Sequence, residues 1–136
     1  MLIEHLTLRN IKIENVWRDE SITNEVVQFW KLLGALPKKV DPYQRAKQLL
    51  LVARNTTEIV GVCTAEEKRI VQINNKPLFN YRSLIHPKYR MPGLVDYMAS
   101  DAVQFLERLY HDKRTECIGV ITLIESKYIQ KIKNKP

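Results

Sequence analysis

The 136-residue sequence predicts one small domain of the α/β (α+β) class, spanning residues 1–136, with a mixed, mainly antiparallel sheet and one β-α-β crossover. Three observations predict this architecture. Several short apolar segments of strand type come first, one long amphipathic helix follows them, and a continuously apolar strand follows that helix. A strand, a helix and a second strand in that order form a parallel pair through a right-handed crossover. The complete predicted order is β-α-α-β-β-β-α-β-α.

The first part of the chain predicts one strand and two helices. Apolar and polar residues alternate over residues 5–13, which indicates a half-buried strand. Residues 22–35 carry apolar side chains at helical spacing, and a glycine and a proline end that helix. Asp41 as the N-cap and Pro42 at the first helical position favour a short helix over residues 43–47.

Strands and turns dominate the middle of the chain. Leu49–Ala53 and Glu58–Thr64 are apolar runs separated by a short polar turn, which predicts a hairpin. Two further strands are predicted at Arg69–Ile73 and Leu78–Ile85. The residues between them, 74–77, begin with two asparagines, which tolerate positive φ, so this segment is a second hairpin or an extended turn.

The strongest predicted helix runs from Gly93 to Leu109. Its apolar residues share one face, which we expect to pack on the sheet: Leu94, Met98, Ala102, Phe105, Leu106 and Leu109. Cys117–Ile124 is continuously apolar, which is typical of a strand covered on both faces. Residues 126–134 predict a final short helix. Trp30 lies on the apolar face of the first helix and is expected in the core, whereas Trp17 and Tyr43 are candidates for exposed contacts.

The composition limits the class of protein. Hydrophobic residues make up 45% and charged residues 27% of the chain, as in an ordinary globular domain. No stretch approaches the ~18 apolar residues that a membrane-spanning helix needs, and the N-terminus lacks the cationic and apolar regions of a signal peptide. We therefore expect a cytoplasmic protein without a membrane partner. Cys63 and Cys117 lie in apolar runs and are expected as free core residues, and without a CxxC motif no metal site is expected.

The net charge of +7 favours anionic partners. A phosphorylated cofactor, a nucleic acid and an acidic protein would all satisfy it. Because the basic residues are scattered and no recognised nucleic-acid motif accompanies them, nucleic acid is not the expected partner. The lysines that follow Glu125 are interpreted as a solvated helix face.

The informative segment joins the strand that ends at Ile85 to the long helix. It reads Arg90-Met91-Pro92-Gly93-Leu94-Val95 at the start of that helix. Backbone N–H groups at a helix N-terminus bind anions, and a glycine there lets the backbone approach a phosphate closely. An arginine just before the glycine adds positive charge. The segment therefore predicts a phosphate-binding loop.

In this segment and its context the sequence resembles the GNAT superfamily of N-acetyltransferases, whose signature is a strand, Q/R-x-x-G-x-G/A and an amphipathic helix. The resemblance implies a GNAT-like sheet with helices on both faces. It implies acetyl-CoA as the cofactor, bound in a cleft between the strand ending at Ile85 and the strand Cys117–Ile124. The implied cofactor-binding residues are Ile85, Arg90, Met91, Gly93, Leu94 and Val95. The implied reaction transfers an acetyl group to an unidentified amine on a small molecule or a protein.

Candidate catalytic residues are few. By resemblance, Tyr128 on the last helix is the candidate that protonates the departing thiolate; packing of the helix onto the sheet is its other interpretation. Tyr81 and Ser83 lie beside the expected cleft and are candidates to orient a water, or are ordinary strand residues. Glu66 and Glu67 follow the predicted strand and either face the acceptor or form a solvated turn. His86 and Glu125 are weaker candidates, and His86 is expected to be a loop residue.

The sequence also departs from the GNAT pattern. Val95 stands where the superfamily has glycine or alanine, and Pro92 has no N–H to give a phosphate. The sequence stops after the last predicted helix, so the usual final strands are expected to be missing, and an exposed sheet edge favours a homo-oligomer such as a dimer. These departures keep a second hypothesis open, a non-catalytic GNAT-like domain that serves as a binding or assembly module.

Overall fold

A computed structural model describes residues 10–90 and 92–122. This part of the chain contains one five-stranded sheet of order β1-β2-β3-β4-β5, antiparallel except for the parallel pair β4–β5. The fold class and the single β-α-β crossover are confirmed. The elements are β1 Ile11–Asn15, α1 Thr23–Leu33, α2 Pro42–Ala46, β2 Leu49–Asn55, β3 Glu58–Ile70, β4 Lys76–Ile85, α3 Leu94–His111 and β5 Val120–Ile121.

Some predicted elements lie wholly or partly outside the described residues. These are the last helix at 126–134, the first residues of the strand at 5–13 and the end of the strand Cys117–Ile124. Within the described part of the last strand, only Val120–Ile121 pairs with β4, and both residues are half-buried.

The β3–β4 hairpin differs from the predicted one. β3 does not end at Thr64 but continues to Ile70, and the predicted strand Arg69–Ile73 is wrong because residues 71–73 form a 3-10 turn. The chain reverses at Asn74 and Asn75, which have φ of 59° and 57°, as their tolerance of positive φ predicts. The polar end of β3 is a strand because it pairs with β4 along its whole length.

Helices α1 and α2 cover one face of the sheet. Val26, Val27 and Trp30 of α1 are buried against Val52 of β2 and Val62 of β3. Trp30 is therefore a core residue, as predicted. α1 ends at a glycine with φ of 58°, a left-handed conformation that stops the helix.

Helix α3 covers the opposite face. Five residues of its predicted apolar stripe are buried and Phe105 is partly buried, and they pack against Phe79 and Ile85 of β4. Trp17 is also packed here, edge-on to Phe79 and Phe105, so it is not a free surface contact. Cys63 and Cys117 are buried free cysteines, as expected, and burial raises the pKa of the Cys63 thiol to about 12. No helix in the described residues is long and apolar enough to cross a membrane.

Candidate functional site

The loop between β4 and α3 is held by its own hydrogen bonds. Pro87–Tyr89 form a 3-10 turn, and the Nδ1 atom of His86 accepts a bond of 3.1 Å from the N–H of Lys88. The Nε–H of Arg90 donates a bond of 3.0 Å to the carbonyl oxygen of Ile85. His86 therefore acts as a turn cap and Arg90, which is exposed, ties the end of β4 to the loop.

The N-terminus of α3 has no side-chain cap. Gly93 has φ of 92°, which favours glycine, and no side chain bonds to the first amides of the helix in the described chain. The first helical bond runs from the N–H of Tyr97 to the carbonyl of Gly93, at 2.8 Å. The N–H groups of Leu94, Val95 and Asp96 consequently have no partner within the helix, and they point where an anion would bind.

Side chains at this helix start have different surroundings. Leu94 is fully buried and anchors the first turn to the core, whereas Val95 is half exposed. Asp96 places a carboxylate in the first turn, which suits the helix dipole but repels a phosphate. Met91 lies outside the described residues, so its predicted contact with the cofactor is untested.

Within the part of the chain that the structure describes, the edge of β4 beside α3 extends past its pairing with β5. The N–H of Phe79 donates to the carbonyl of Gly119, and β5 pairs only with Phe79 and Asn80 within residues 10–90 and 92–122. Because backbone groups alternate sides along a strand, the N–H and C=O groups of Tyr81 and Ser83 also lie on this edge, beyond the paired part of β5. They are placed to pair with an extended, amide-containing ligand.

The side chains of Tyr81 and Ser83 lie on the α3 face of the sheet. Tyr81 is buried in the core beside Cys63, and burial raises the pKa of its phenol. The phenol is therefore neutral at physiological pH and can donate a hydrogen bond. Ser83 is exposed. Tyr128 lies outside the described residues, so the structure does not bring the three predicted catalytic residues together, and their roles remain predictions.

A cavity of about 180 Å³ lies on the α1 face, between the end of α1 and strands β3 and β4. Apolar side chains make up most of its wall. Two arginines and one threonine contribute polar side chains to the wall. The lining residues include Trp30, Leu36, Pro37, Arg45, Thr64 and Arg82.

A strip of polar residues runs beside this cavity on the same face. Thr64 pairs across the strands with Arg82, and Glu66 pairs with Asn80. Thr64 and Asn80 are the two fully buried polar residues of the described chain. The Nη1 atom of Arg82 bonds Oε1 of Glu66 at 3.2 Å, and Gln48 donates to the other oxygen of that carboxylate at 3.4 Å.

The polar strip revises the predictions made for the two glutamates. Glu66 faces the cavity side from within β3 and not from a solvated turn, whereas Glu67 lies on the opposite face near Thr115. Sequence reasoning missed Arg82 and Arg45 as site residues. The alternation of Asn80 and Arg82 within a buried strand is the signal that could have found the first of them. No group of three or more His, Cys, Asp or Glu side chains in the described residues is arranged to hold a metal ion.

Comparison with solved structures identifies the fold. The chain is similar to an aminoglycoside acetyltransferase from an uncultured soil metagenomic sample, in complex with trehalose, with 14% identity, a TM-score of 0.56 and coverage of 94% of this chain and 89% of that one. A GNAT family acetyltransferase from Staphylococcus aureus is 16% identical, with a TM-score of 0.56 and coverage of 87% and 89%. A protein from Clostridium acetobutylicum described as a predicted acetyltransferase, with acetyl-CoA, is 9% identical, with a TM-score of 0.54 and coverage of 93% and 89%.

These structures show that the chain has the GNAT fold, which confirms the resemblance carried by the segment before α3. No protein-family model matches the sequence, and no curated protein matches it significantly. At such low identity the likeness establishes the architecture alone, so activity and substrate have to be argued from the site.

Proposed function

We propose that this protein is an N-acyltransferase that uses acetyl-CoA to acetylate an amine. One observation carries the proposal: an uncapped helix N-terminus at Gly93 adjoins a β4 edge that extends past the described pairing with β5. The first feature suits a pyrophosphate and the second suits the amides of a pantetheine arm. In a GNAT fold, the two features together fit one ligand that carries both groups.

The residues present fit acetyl-CoA in most respects. The amides of Leu94 and Val95 would hold the pyrophosphate, with the guanidinium of Arg90 adding positive charge. The backbone groups of Tyr81 and Ser83 would pair with the pantetheine arm. The branched side chain of Val95 and the carboxylate of Asp96 oppose phosphate binding, so we expect weaker affinity than a glycine or alanine at position 95 would give.

When bound, acetyl-CoA supplies an acetyl thioester. The acceptor nitrogen forms a bond to the acetyl carbon as the carbon–sulfur bond breaks, the nitrogen loses a proton to water or a base, and the departing thiolate gains one. Tyr128 is the proposed acid for the thiolate. Tyr81, which is neutral, is a proposed donor that orients a water near the same edge, with Ser83 beside it.

Calorimetric titration with acetyl-CoA tests the proposal. Saturable binding in the micromolar range is expected for the wild type, and Arg90→Ala should weaken it by about 10-fold because a charge-assisted bond to phosphate is lost. The matched control is Arg114→Ala, an exposed arginine beyond the other end of α3. If neither acetyl-CoA nor free CoA binds, the proposed N-acyltransferase activity is excluded.

A non-catalytic GNAT-like module is the second candidate. Asp96 in the first turn of α3 and Pro92, which offers no N–H, both favour it. The same titration separates the candidates, since a module of this kind would not bind acetyl-CoA. A homo-oligomer formed through a sheet edge remains a proposal for either candidate, and sedimentation analysis tests it.

The class of acceptor is a separate question. The structural neighbour from the soil metagenome is named for aminoglycosides, which are polycations, whereas arginines line the cavity of this chain.

A further inference from the structure

The cavity on the α1 face meets the β4 edge at Ser83. Ser83 lines the cavity, and its backbone N–H and C=O lie on the edge along which the acyl donor is proposed to bind. A molecule in the cavity would thus approach an acyl group on that edge from the α1 side of the sheet. If the proposed function holds, the cavity is where the acceptor amine binds.

The size and walls of the cavity favour a small acceptor with an apolar body. Its volume of about 180 Å³ is well below the ~300–1,000 Å³ of sites that enclose drug-sized ligands. Trp30, Leu36 and Pro37 form one side, and Val62 and Leu84 form the sheet side. The space suits a molecule of about amino-acid size, or one end of a larger molecule.

The polar groups of the cavity favour an acidic group on that molecule. Arg45 and Arg82 line it, and its described lining contains no Asp or Glu. A guanidinium carries only donors, so its ligands are acceptor oxygens such as those of a carboxylate or phosphate. Glu66, beside the cavity, bonds Arg82 at 3.2 Å, and Arg45 supplies a second guanidinium to the lining.

A buried hydroxyl group gives an independent indication. Thr64 is 3% exposed, and its Oγ1 atom has no hydrogen-bond partner in the described residues. A buried hydroxyl without a partner is costly and unusual, and a ligand oxygen in the cavity would satisfy it. Thr64 lies directly across from Arg82, so both groups can serve the same ligand.

We propose that this cavity binds the acidic group of the acceptor through Arg45, Arg82 and Thr64, so that the acceptor is a small, partly apolar amine that also carries a carboxylate or a phosphate. The inference rests on the proposed function for the amine. The binding of the acidic group itself is testable without the acyl donor.

Trp30 provides a direct measurement of binding. The chain has two tryptophans, so a Trp17→Phe variant leaves Trp30, in the cavity wall, as the single reporter. Four probes are titrated against its fluorescence: L-leucine, L-leucinamide, O-phosphoethanolamine and ethanolamine. We expect L-leucine or O-phosphoethanolamine to bind at least about 10-fold more tightly than its partner that lacks the acidic group, and the better of the two identifies the acidic group.

Two variants assign the binding to the proposed residues. Arg45→Gln should weaken binding of the acidic probe by about 10-fold, and Thr64→Val should weaken it by several-fold, with little change for the partner that lacks the acidic group. Lys47→Gln, on an exposed neighbour of Arg45, is the matched control and should change neither. Thermal unfolding of each variant checks that the fold persists.

The outcomes separate this inference from the proposed function. Equal affinity for the probes with and without the acidic group, the absence of a saturable signal up to millimolar concentration, or binding that Arg45→Gln and Thr64→Val leave intact would overturn it. Failure to bind acetyl-CoA while the acidic probe binds normally would reject the acyltransferase but retain the cavity as an anion site. Release of free CoA in the presence of the better probe, and not of its partner that lacks the acidic group, would support both the inference and the proposed function.

Discussion

Two arginines of equal exposure have different roles on the face covered by α1. The side chains of Arg54 and Arg82 are each 19% exposed. Arg54 donates hydrogen bonds to both carboxylate oxygens of Glu25, at 2.6 and 2.8 Å, and to Glu14 at 3.0 Å. Arg82 bonds Glu66 at 3.2 Å and lines a cavity. The difference lies in the partners and not in the burial.

The comparison distinguishes a structural arginine from a candidate binding arginine. Arg54 joins β1, β2 and α1 through carboxylates on two of these elements, so its donors serve the fold. Arg82 lies near the other end of α1, where Arg45 and the buried hydroxyl of Thr64 face the same space. Polar groups gathered around a cavity are arranged for a ligand, whereas polar groups paired with one another are arranged for stability.

The largest effect is expected from Arg54→Leu. Loss of the bidentate pair with Glu25 and the bond to Glu14 should lower the free energy of unfolding by about 1–3 kcal/mol, since these carboxylates are partly exposed and partly rehydrated. Urea unfolding measures the change. The exposed Arg114→Leu is the control, with an expected change within about 0.5 kcal/mol. Binding of the acidic probe per folded molecule should stay unchanged.

The same variant has a defined pH dependence. The hydrogen bond from Arg54 lowers the pKa of Glu25 from its ordinary 4.5. A lowered pKa contributes stability above the ordinary value and loses it as the pH falls through the lowered value. The difference in stability between wild type and Arg54→Leu should therefore be full at neutral pH and shrink as the pH falls below the ordinary pKa of 4.5 and through the lowered pKa. A difference that does not depend on pH would show that Arg54 acts through packing alone.

Thr64→Val should change stability in the opposite direction. The substitution keeps the shape of the side chain and removes a buried hydroxyl that has no partner in the described chain. We expect the free energy of unfolding of the unliganded protein to rise by about 1 kcal/mol, while the acidic probe binds less well. Ser21→Ala, which removes an exposed hydroxyl bonded to Asp19, provides a contrast and should be slightly destabilising. A loss of stability in Thr64→Val would mean that the hydroxyl serves the fold.

The parts of the fold that could be predicted depend on local signals. The start of α3 and the end of β4 fall within one residue of the prediction, because a glycine, a proline and an apolar period mark them. The extent of β3 was underestimated. Its second half is polar and resembles a turn, and it becomes a strand only because it pairs with β4 up to Ile70 and Lys76.

The candidate site divides in the same way. The proposed phosphate-binding segment is contiguous in sequence, so its pattern could be recognised. The cavity brings together Arg45 from α2, Thr64 from β3 and Arg82 from β4, which are distant in sequence and carry no motif. Their meeting depends on the strand register and on how α2 packs on the sheet, and a single sequence reveals neither.

The smallest effect is expected from Glu66→Gln, which tests whether the arginine of the cavity is restrained by its own partner. Glu66 is about one-third exposed, so loss of its bond to Arg82 should change the free energy of unfolding by less than about 1 kcal/mol. Removal of the carboxylate takes one negative charge away from Arg82 beside the cavity, and the acidic probe should bind a few-fold more tightly. Glu116→Gln, in the exposed pair with Arg69, controls for the overall change in charge. Equal gains in both variants would indicate long-range attraction, whereas a gain confined to Glu66→Gln would place the acidic group of the ligand at Arg82.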